Sequence, residues 1–386
     1  MIPFSPIFID SNFLSLFKIF NNNYKLDNNE IITYSVRTSI YTFLKIKKYK
    51  KNKKVLITSI NIPSIINIIK HYNLEFIGVD LNPYTLDFCK KDFLEKIKKN
   101  DICCCIYSHL FGKINDINWI IDICKKYNID FIEDCAECFR PDYNGNPKSD
   151  IISFSFGSIK NCTCFGGSKT IIKNNEIFKK FKKEINNYKK QSNIFYILKI
   201  IKYFYISFIL NNKYINLFIR KISNILNINI NNIFIKLIRN INNYDLINNI
   251  TYKPCLLLEK YLLYRINNYT LPNINNQNYI ENNLNKTFIL PGIYCNKYKN
   301  YWLYPIYFKH NLFKYLDCNY INYVKKISQL KCIDDNCKKS KDLMNNLYFF
   351  PVNSLISLQN IKYIVYKLNS INLYSNLSEF EDNYFL

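Results

Sequence analysis

Histidine is nearly missing from this chain, and several kinds of chemistry go with it. Three imidazoles in 386 residues, His71, His109 and His310, supply a His-based hydrolytic triad poorly. Cysteine is plentiful, at 14, but its spacing does not suit zinc. Cys135 and Cys138 form a CxxC and Cys332 and Cys337 a CxxxxC, and no second pair stands at ligand spacing. No metal is expected. Cys103, Cys104 and Cys105 fall together in an apolar run, where they read as small buried hydrophobes. The N-terminus shows no basic stretch followed by an apolar core and a small-residue cleavage site, so reduced thiols and a cytoplasmic location are expected. No 18-residue window in the apolar stretch after residue 185 is free of charge, which argues against a spanning helix. Acidic residues are also scarce: 29 Asp and Glu face 53 Lys and Arg, for a formal charge of +24. Such an excess ordinarily points to nucleic acid or an anionic surface. Here it is spread along a chain enriched throughout in Lys, Asn, Ile, Tyr and Phe and poor in Gly, Ala and Arg. Compositional drift accounts for it, and no specific nucleic-acid partner is expected.

What is present is enough for a large core. Hydrophobic residues make up 48% and aromatic residues 17%, which excludes a disordered chain, and the length suits two domains. Through the first half, short apolar runs alternate with helical periodicity. Strands are expected at 55–59, 74–80, 102–108, 129–134, 151–156 and 169–172, with helices at 62–72, 92–99 and 116–127. Strands that are apolar throughout, separated by helices, predict a mostly parallel sheet covered on both faces. Ligands of such sheets collect outside the carboxyl ends of the strands. Asp134 and Lys160 both fall at or just past such ends. The stretch FSFGSIKNCTCFGG, residues 154–167, sets Lys160 after an apolar strand and before a loop rich in small residues, unlike the lysines that run along polar faces.

The texture changes near residue 185. An apolar insertion, about 190–245, is interrupted by Lys199, Lys202 and Lys213 and is expected to pack as helix onto the body or a dimer partner. Lys199, Lys202 and Arg220 would then mark a solvated stripe. A face lying on a membrane is the alternative. The expected division is a large α/β domain over 1–247 and a smaller α+β domain over 248–386. The second would begin with a helix around PCLLLEKYLLYRI, carry strand-like pieces at 286–290 and 301–307, and end in a helix at 358–368.

The order of several blocks resembles one family. IPFSPIFI (2–9), YSVRTSIYTFLKI (34–46), VLITSINIPSIINIIKHYNLEFIGVDLNPYTLDF (55–88), YSHLFGKINDI (107–117), FIEDCAECF (131–139), FSFGSIKNCTCFGGSKTII (154–172) and FFPVNSLIS (349–357) run in the order seen in the DegT/DnrJ/EryC1/StrS pyridoxal-phosphate-dependent sugar aminotransferases. The resemblance implies an α/β, fold-type-I transferase that is a cytoplasmic homodimer. It implies Lys160 as the lysine that holds pyridoxal 5'-phosphate as a Schiff base and shuttles the proton. Asp134 would pair with the ring N–H, while Thr38, Ser39 and Ser155 would contact the phosphate. Glu137 stands near the ring where the family usually has Gln or His, and Ile62 where many members place an aromatic over the ring. Val36 replaces a usual glycine, and Thr251 and Lys253 fall near the family's Asn and Arg, the Asn reaching the neighbouring subunit's phosphate. The implied reaction transfers an amino group from L-glutamate to a keto group of a nucleotide-linked sugar, for polysaccharide or amino-sugar synthesis. Two alternatives stay open. One is the family's dehydratase branch, in which a histidine replaces the lysine. The other is a noncatalytic member acting at a membrane surface or binding anions.

Overall fold

The computed structural model describes residues 25–371 apart from 227–232, 234–236, 238–244, 272–273, 296–297, 300–302, 320, 322, 326–328 and 353–355. The block at 2–9 and positions 353–355 of the proline motif therefore lie outside the described residues. In chain order come β1 (Glu30–Thr33), α1 (Val36–Lys47), β2 (Lys54–Thr58), β3 (Ile60–Asn61), α2 (Pro63–His71), β4 (Glu75–Val79), α3 (Lys90–Lys99), β5 (Ile102–Ser108), β6 (Lys113–Ile114), α4 (Asn118–Lys126), β7 (Asp130–Cys135), β8 (Ile151–Ser155) and β9 (Ser168–Ile172). Then follow α5 (Asn175–Asn187), β10 (Lys189–Lys190), α6 (Asn193–Asn211), α7 (Lys213–Ile225), α8 (Leu246–Ile250), β11 (Tyr252–Lys253), α9 (Leu256–Asn267) and α10 (Asn275–Asn283). The last elements are β12 (Tyr298–Lys299), β13 (Leu303–Tyr307), α11 (Phe313–Cys318), β14 (Lys331–Cys332), α12 (Lys338–Asn346), β15 (Leu347–Pro351) and α13 (Leu358–Ser370).

Seven strands make one sheet in the order β1-β9-β8-β7-β5-β2-β4. β4, β2, β5, β7 and β8 are parallel, and β9 runs antiparallel between β8 and β1. Every residue of β5, ICCCIYS, is buried, because a central strand covered on both sides needs no polar face. On one side α1, α2 and α5 lay Ile40, Phe43, Ile68 and Phe181 over Val55, Ile57, Cys104 and Ile132. On the other, Phe93, Ile97, Ile120 and Ile121 of α3 and α4 cover Leu56, Cys105 and Phe131, and Leu343, Leu347 and Phe349 join the same cluster. All 14 cysteines are free thiols, and most are buried.

The C-terminal part builds its own core from Tyr304, Ile306 and Phe308 against Ile361, Ile364 and Leu368, around the antiparallel pair β13–β15. It is also fastened to the segments that follow β2 and β4. β14 pairs antiparallel with β3, so that Lys331 faces Asn61. At the start of α12, Ser340 donates through its amide (2.8 Å) and its hydroxyl (2.6 Å) to Asp80 Oδ1, a carboxylate well placed at a helix N-terminus.

Three local readings change. β1 had no visible signal, since four residues, EIIT, cannot display a period; its pairing with β9 makes it a strand. Residues 286–290 hold a turn and one bridge, Ile289 to Tyr307, instead of a strand, because Pro291 and Gly292 (φ 70°) end the extended run at once. The insertion is two-faced. Tyr196, Ile200, Tyr203, Ile206 and Leu210 of α6 pack on Cys162, Cys164, Phe165 and the α9 residues Leu258 and Leu262, and the Tyr196 hydroxyl donates to the Cys164 carbonyl at 2.7 Å. Its other side exposes Ile194, Phe195, Leu198, Tyr205 and Phe208 in the single chain. Residues Asn193–Leu210 are long and apolar enough to cross a membrane by length and composition, despite Lys199 and Lys202. Lys199 does not join a solvated stripe. Its amine is turned toward Gly166, because the helix face that carries it is the one packed on that loop. The Arg220 side chain is outside what is described.

Candidate active site

The carboxyl end of β7 carries two carboxylates on opposite faces, as strand alternation requires. Glu133 turns into a closed network. Its Oε2 accepts from the Asn146 amide and the Ser149 hydroxyl, both at 2.7 Å, and its Oε1 from the Tyr143 hydroxyl. His109 Nε2 lies 3.1 Å from Oε1. Burial alone would raise this carboxyl, but hydrogen bonding and charge from His109, with Tyr143 and Asn146, hold it at about 2. His109, Glu133 and Cys135 bring ligand-type atoms within 4.8 Å of one another, yet the carboxylate among them is already saturated by these donors. Glu133→Ala is expected to cost about 3–5 kcal/mol in urea denaturation at pH 7, since it strands buried donors. Because the folded carboxyl sits below its unfolded value, its stabilisation is present above pH ~4.3 and is lost as pH falls toward 2. The gap between wild type and variant should shrink over that window.

Asp134 faces the other way. In the parallel register it stands beside Ser108 of β5, whose hydroxyl donates to Asp134 Oδ2 at 3.0 Å. The Ala136 amide donates to Oδ1 at 3.0 Å. Ser108 is itself fixed: Asn61 Nδ2 donates to its hydroxyl at 3.0 Å, and its amide donates to Thr58 Oγ1 at 2.8 Å. Burial pushes the Asp134 carboxyl above its ordinary value; hydrogen bonds from Ala136 and Ser108 and the charge of Lys160 pull it back, while Glu137 adds to the rise. A buried carboxylate held by neutral donors is suited to a cation placed against it.

Lys160 is delivered by the loop from β8 to β9. The loop closes on itself: the Phe156 amide donates to the Gly167 carbonyl at 3.1 Å, and the Cys164 and Gly166 amides return to the Phe156 carbonyl at 2.9 and 3.0 Å. Gly167 has φ 85°, and a Cβ there would stand 2.7 Å from Leu262 Cδ1, so glycine is required. Lys160 Nζ comes 3.6 Å from Glu137 Oε1, with side chains 18% and 12% exposed. Glu137 Oε2 is fixed by the Phe111 amide at 2.9 Å. One amine and two carboxylates thus share one sheet edge.

The other expected residues are placed less uniformly. Ser155 ends β8 half-buried, with the Gly157 amide donating to its hydroxyl at 3.4 Å. Thr38 and Ser39 open α1, but their hydroxyls turn inward. Thr38 Oγ1 donates to the Ile250 carbonyl at 2.7 Å, and Ser39 Oγ lies 2.7 Å from both Thr33 Oγ1 and Thr170 Oγ1. The first turn of α1 is capped by Ser35, whose hydroxyl accepts from the Thr38 amide at 3.2 Å, and of its first four residues only Arg37 is not buried. Val36 is buried. Ile62 is half-buried at the start of α2, its amide donating to Asn61 Oδ1 at 2.8 Å. Thr251 and Lys253 are engaged within the chain, by the Ile247 carbonyl at 2.9 Å and Asn186 Oδ1 at 2.8 Å. Asn61 and Ser108, which orient Asp134, were not foreseen; Ser108 had a signal in its place at the end of an apolar strand.

The fold has counterparts. The model of the DegT/DnrJ/EryC1/StrS aminotransferase family matches residues 22–193. GDP-perosamine synthase of Escherichia coli O157:H7 is 29% identical over 129 residues, a match covering 32% of this chain and 35% of that protein. The matched part is therefore about a third of the relative's length. Among solved structures, the aminotransferase TlmJ from Streptoalloteichus hindustanus superposes with TM-score 0.65 at 10% identity, covering 96% of this chain and 98% of that one. The sugar aminotransferase CalS13 from Micromonospora echinospora gives 0.61 at 12% identity, with 96% and 100% covered. NtdA from Bacillus subtilis, with bound cofactor PMP, gives 0.58 at 14% identity, with 94% and 76% covered. At these identities the likeness establishes the fold alone, an α/β fold with a mostly parallel central sheet.

Proposed function

With residues 22–193 matching an aminotransferase family, we propose that this chain is a pyridoxal-phosphate-dependent aminotransferase. It would move an amino group from L-glutamate to a keto group of a nucleotide-linked sugar, as a cytoplasmic homodimer serving polysaccharide or amino-sugar synthesis. The observation that carries the reading is the shared edge of Asp134, Lys160 and Glu137. The residues suit the cofactor: a buried carboxylate with neutral donors matches a protonated ring nitrogen, and the first turn of α1 beside Ser155 matches a phosphate. When bound, the group supplies an electron sink for bonds at the donor's α-carbon. Asp134 would keep the ring nitrogen protonated, with Ser108 and the Ala136 amide orienting it. Lys160 would hold the cofactor and then carry the proton, and the Glu137 carboxylate, 3.6 Å away, would favour the charged amine. The presence of Lys160 speaks against the dehydratase branch, where a histidine stands. Protein loaded with the cofactor and then freed of unbound cofactor should still absorb in the near-ultraviolet to visible region, and a panel of nucleotide keto-sugars with glutamate should yield an amino sugar. Lack of both the colour and the product would overturn the reading.

The bare apolar side of α6 supports the assembly part of the proposal, since a partner subunit would remove it from water. In flotation with anionic and neutral liposomes, we expect weak, salt-sensitive association at most, and catalysis independent of lipid. Tight flotation that survives high salt would instead assign this side to a membrane.

A further inference from the structure

α6 reaches the lysine loop at three points. Tyr196 bonds the Cys164 carbonyl, Tyr203 is hydrogen-bonded to Ser158, and the Lys199 amine stands 3.3 Å from where a Cβ on Gly166 would be. Gly166 has φ 156°, a conformation that favours glycine, and the lack of a side chain leaves the amine its room. The Lys199 amine is enclosed although the residue keeps some exposed surface, and it lies 6.0 Å from the Tyr203 ring centroid. Arg37, in the first turn of α1, is close enough for the two charges to oppose each other. Burial, then Arg37 and Lys202, bring Lys199 down to about 8, and burial lowers Arg37 as well. Among the described residues, neither Arg37 nor Lys199 has a hydrogen bond or ion pair through its charged group. Two neighbouring, poorly hydrated cations without a counter-charge are costly to keep. They flank a helix start whose first N–H groups have no intrahelical acceptor.

We infer that Arg37 and Lys199 form a binding site for a phosphate-type dianion at the lysine loop, with α6 of the same chain supplying the second cation. The inference rests on the reading above for the identity of the ligand. Both the phosphate monoester of the cofactor and the diphosphate of a nucleotide-linked substrate have the required chemistry. The site also gives the insertion a task that its apolar composition hides.

Binding to the full-length apoprotein tests it, with pyridoxal phosphate, pyridoxal and uridine diphosphate titrated separately and followed by calorimetry. Lys199→Gln should weaken pyridoxal phosphate about 10- to 100-fold and leave pyridoxal unchanged, with Arg37→Gln acting in the same direction and Lys199→Arg restoring most of the affinity. Loss of uridine diphosphate affinity with pyridoxal phosphate intact would support the site and assign it to the substrate. Equal loss for pyridoxal and its phosphate, or no loss for any ligand, would overturn it. Borohydride labelling keeps the two levels apart. If wild-type protein takes no pyridoxyl label on Lys160, the cofactor reading fails, whereas a normal label with unchanged affinities in Lys199→Gln removes only the phosphate site.

Discussion

Lys160→Ala is expected to eliminate transamination, a loss of at least about 1,000-fold, near the upper part of what a positioned proton-transfer group contributes. The effect should exceed that of any other single change because, in the proposed reaction, this amine would have two tasks, holding the cofactor and moving the proton. Its position suits both: the loop places it beyond β8, and the Glu137 carboxylate lies 3.6 Å away. The variant should still fold, since the loop is closed by backbone hydrogen bonds of Phe156, Cys164, Gly166 and Gly167 that do not involve the side chain. It should also retain some cofactor through the phosphate. Borohydride reduction followed by peptide mapping decides the assignment. Wild type should carry a pyridoxyl label on Lys160 and the variant none, and a label on a different lysine would sink it.

Asp134→Asn should lower turnover at least about 100-fold, on the order of losing one charge-assisted contact in a desolvated site. The amide keeps the shape but cannot stabilise a protonated ring nitrogen. Stability should move the other way or not at all. Burial already opposes ionisation of Asp134, so a neutral side chain is no worse for the folded state. Unchanged melting together with a collapsed rate would separate a catalytic role from a structural one. Near-normal turnover would contradict the pairing.

The place of these two residues at strand ends was legible in the sequence for a physical reason, while their roles were implied by the family resemblance alone. A central parallel strand covered on both faces needs no polar side, so β5 announces itself, and β7 beside it places Asp134 at its carboxyl end. The strands and helices of the first half accordingly fall within a few residues of their expected limits. Other features left no local trace. β1 is too short to show a period and exists through its pairing with β9. Asn61 matters through Ser108, a contact that spacing alone does not reveal. Thr38 and Ser39 read as free hydroxyls at a helix start, and only the fold shows Ile250, Thr33 and Thr170 occupying them. Lys199 resembled every other cation in an apolar stretch until packing turned it toward Gly166.

The pairing of β3 with β14 bears on how the molecule comes into being. Asn61 orients Ser108, which orients Asp134, and the strand that pins Asn61 is formed by Lys331 and Cys332. A chain leaving the ribosome has therefore exposed its amine and both carboxylates long before the segment that aligns them is translated. Contacts so distant in sequence form late and slowly. Until residue 332 has emerged, the pairing that pins Asn61 cannot form, so the support of Asp134 through Ser108 is completed only after that segment is made.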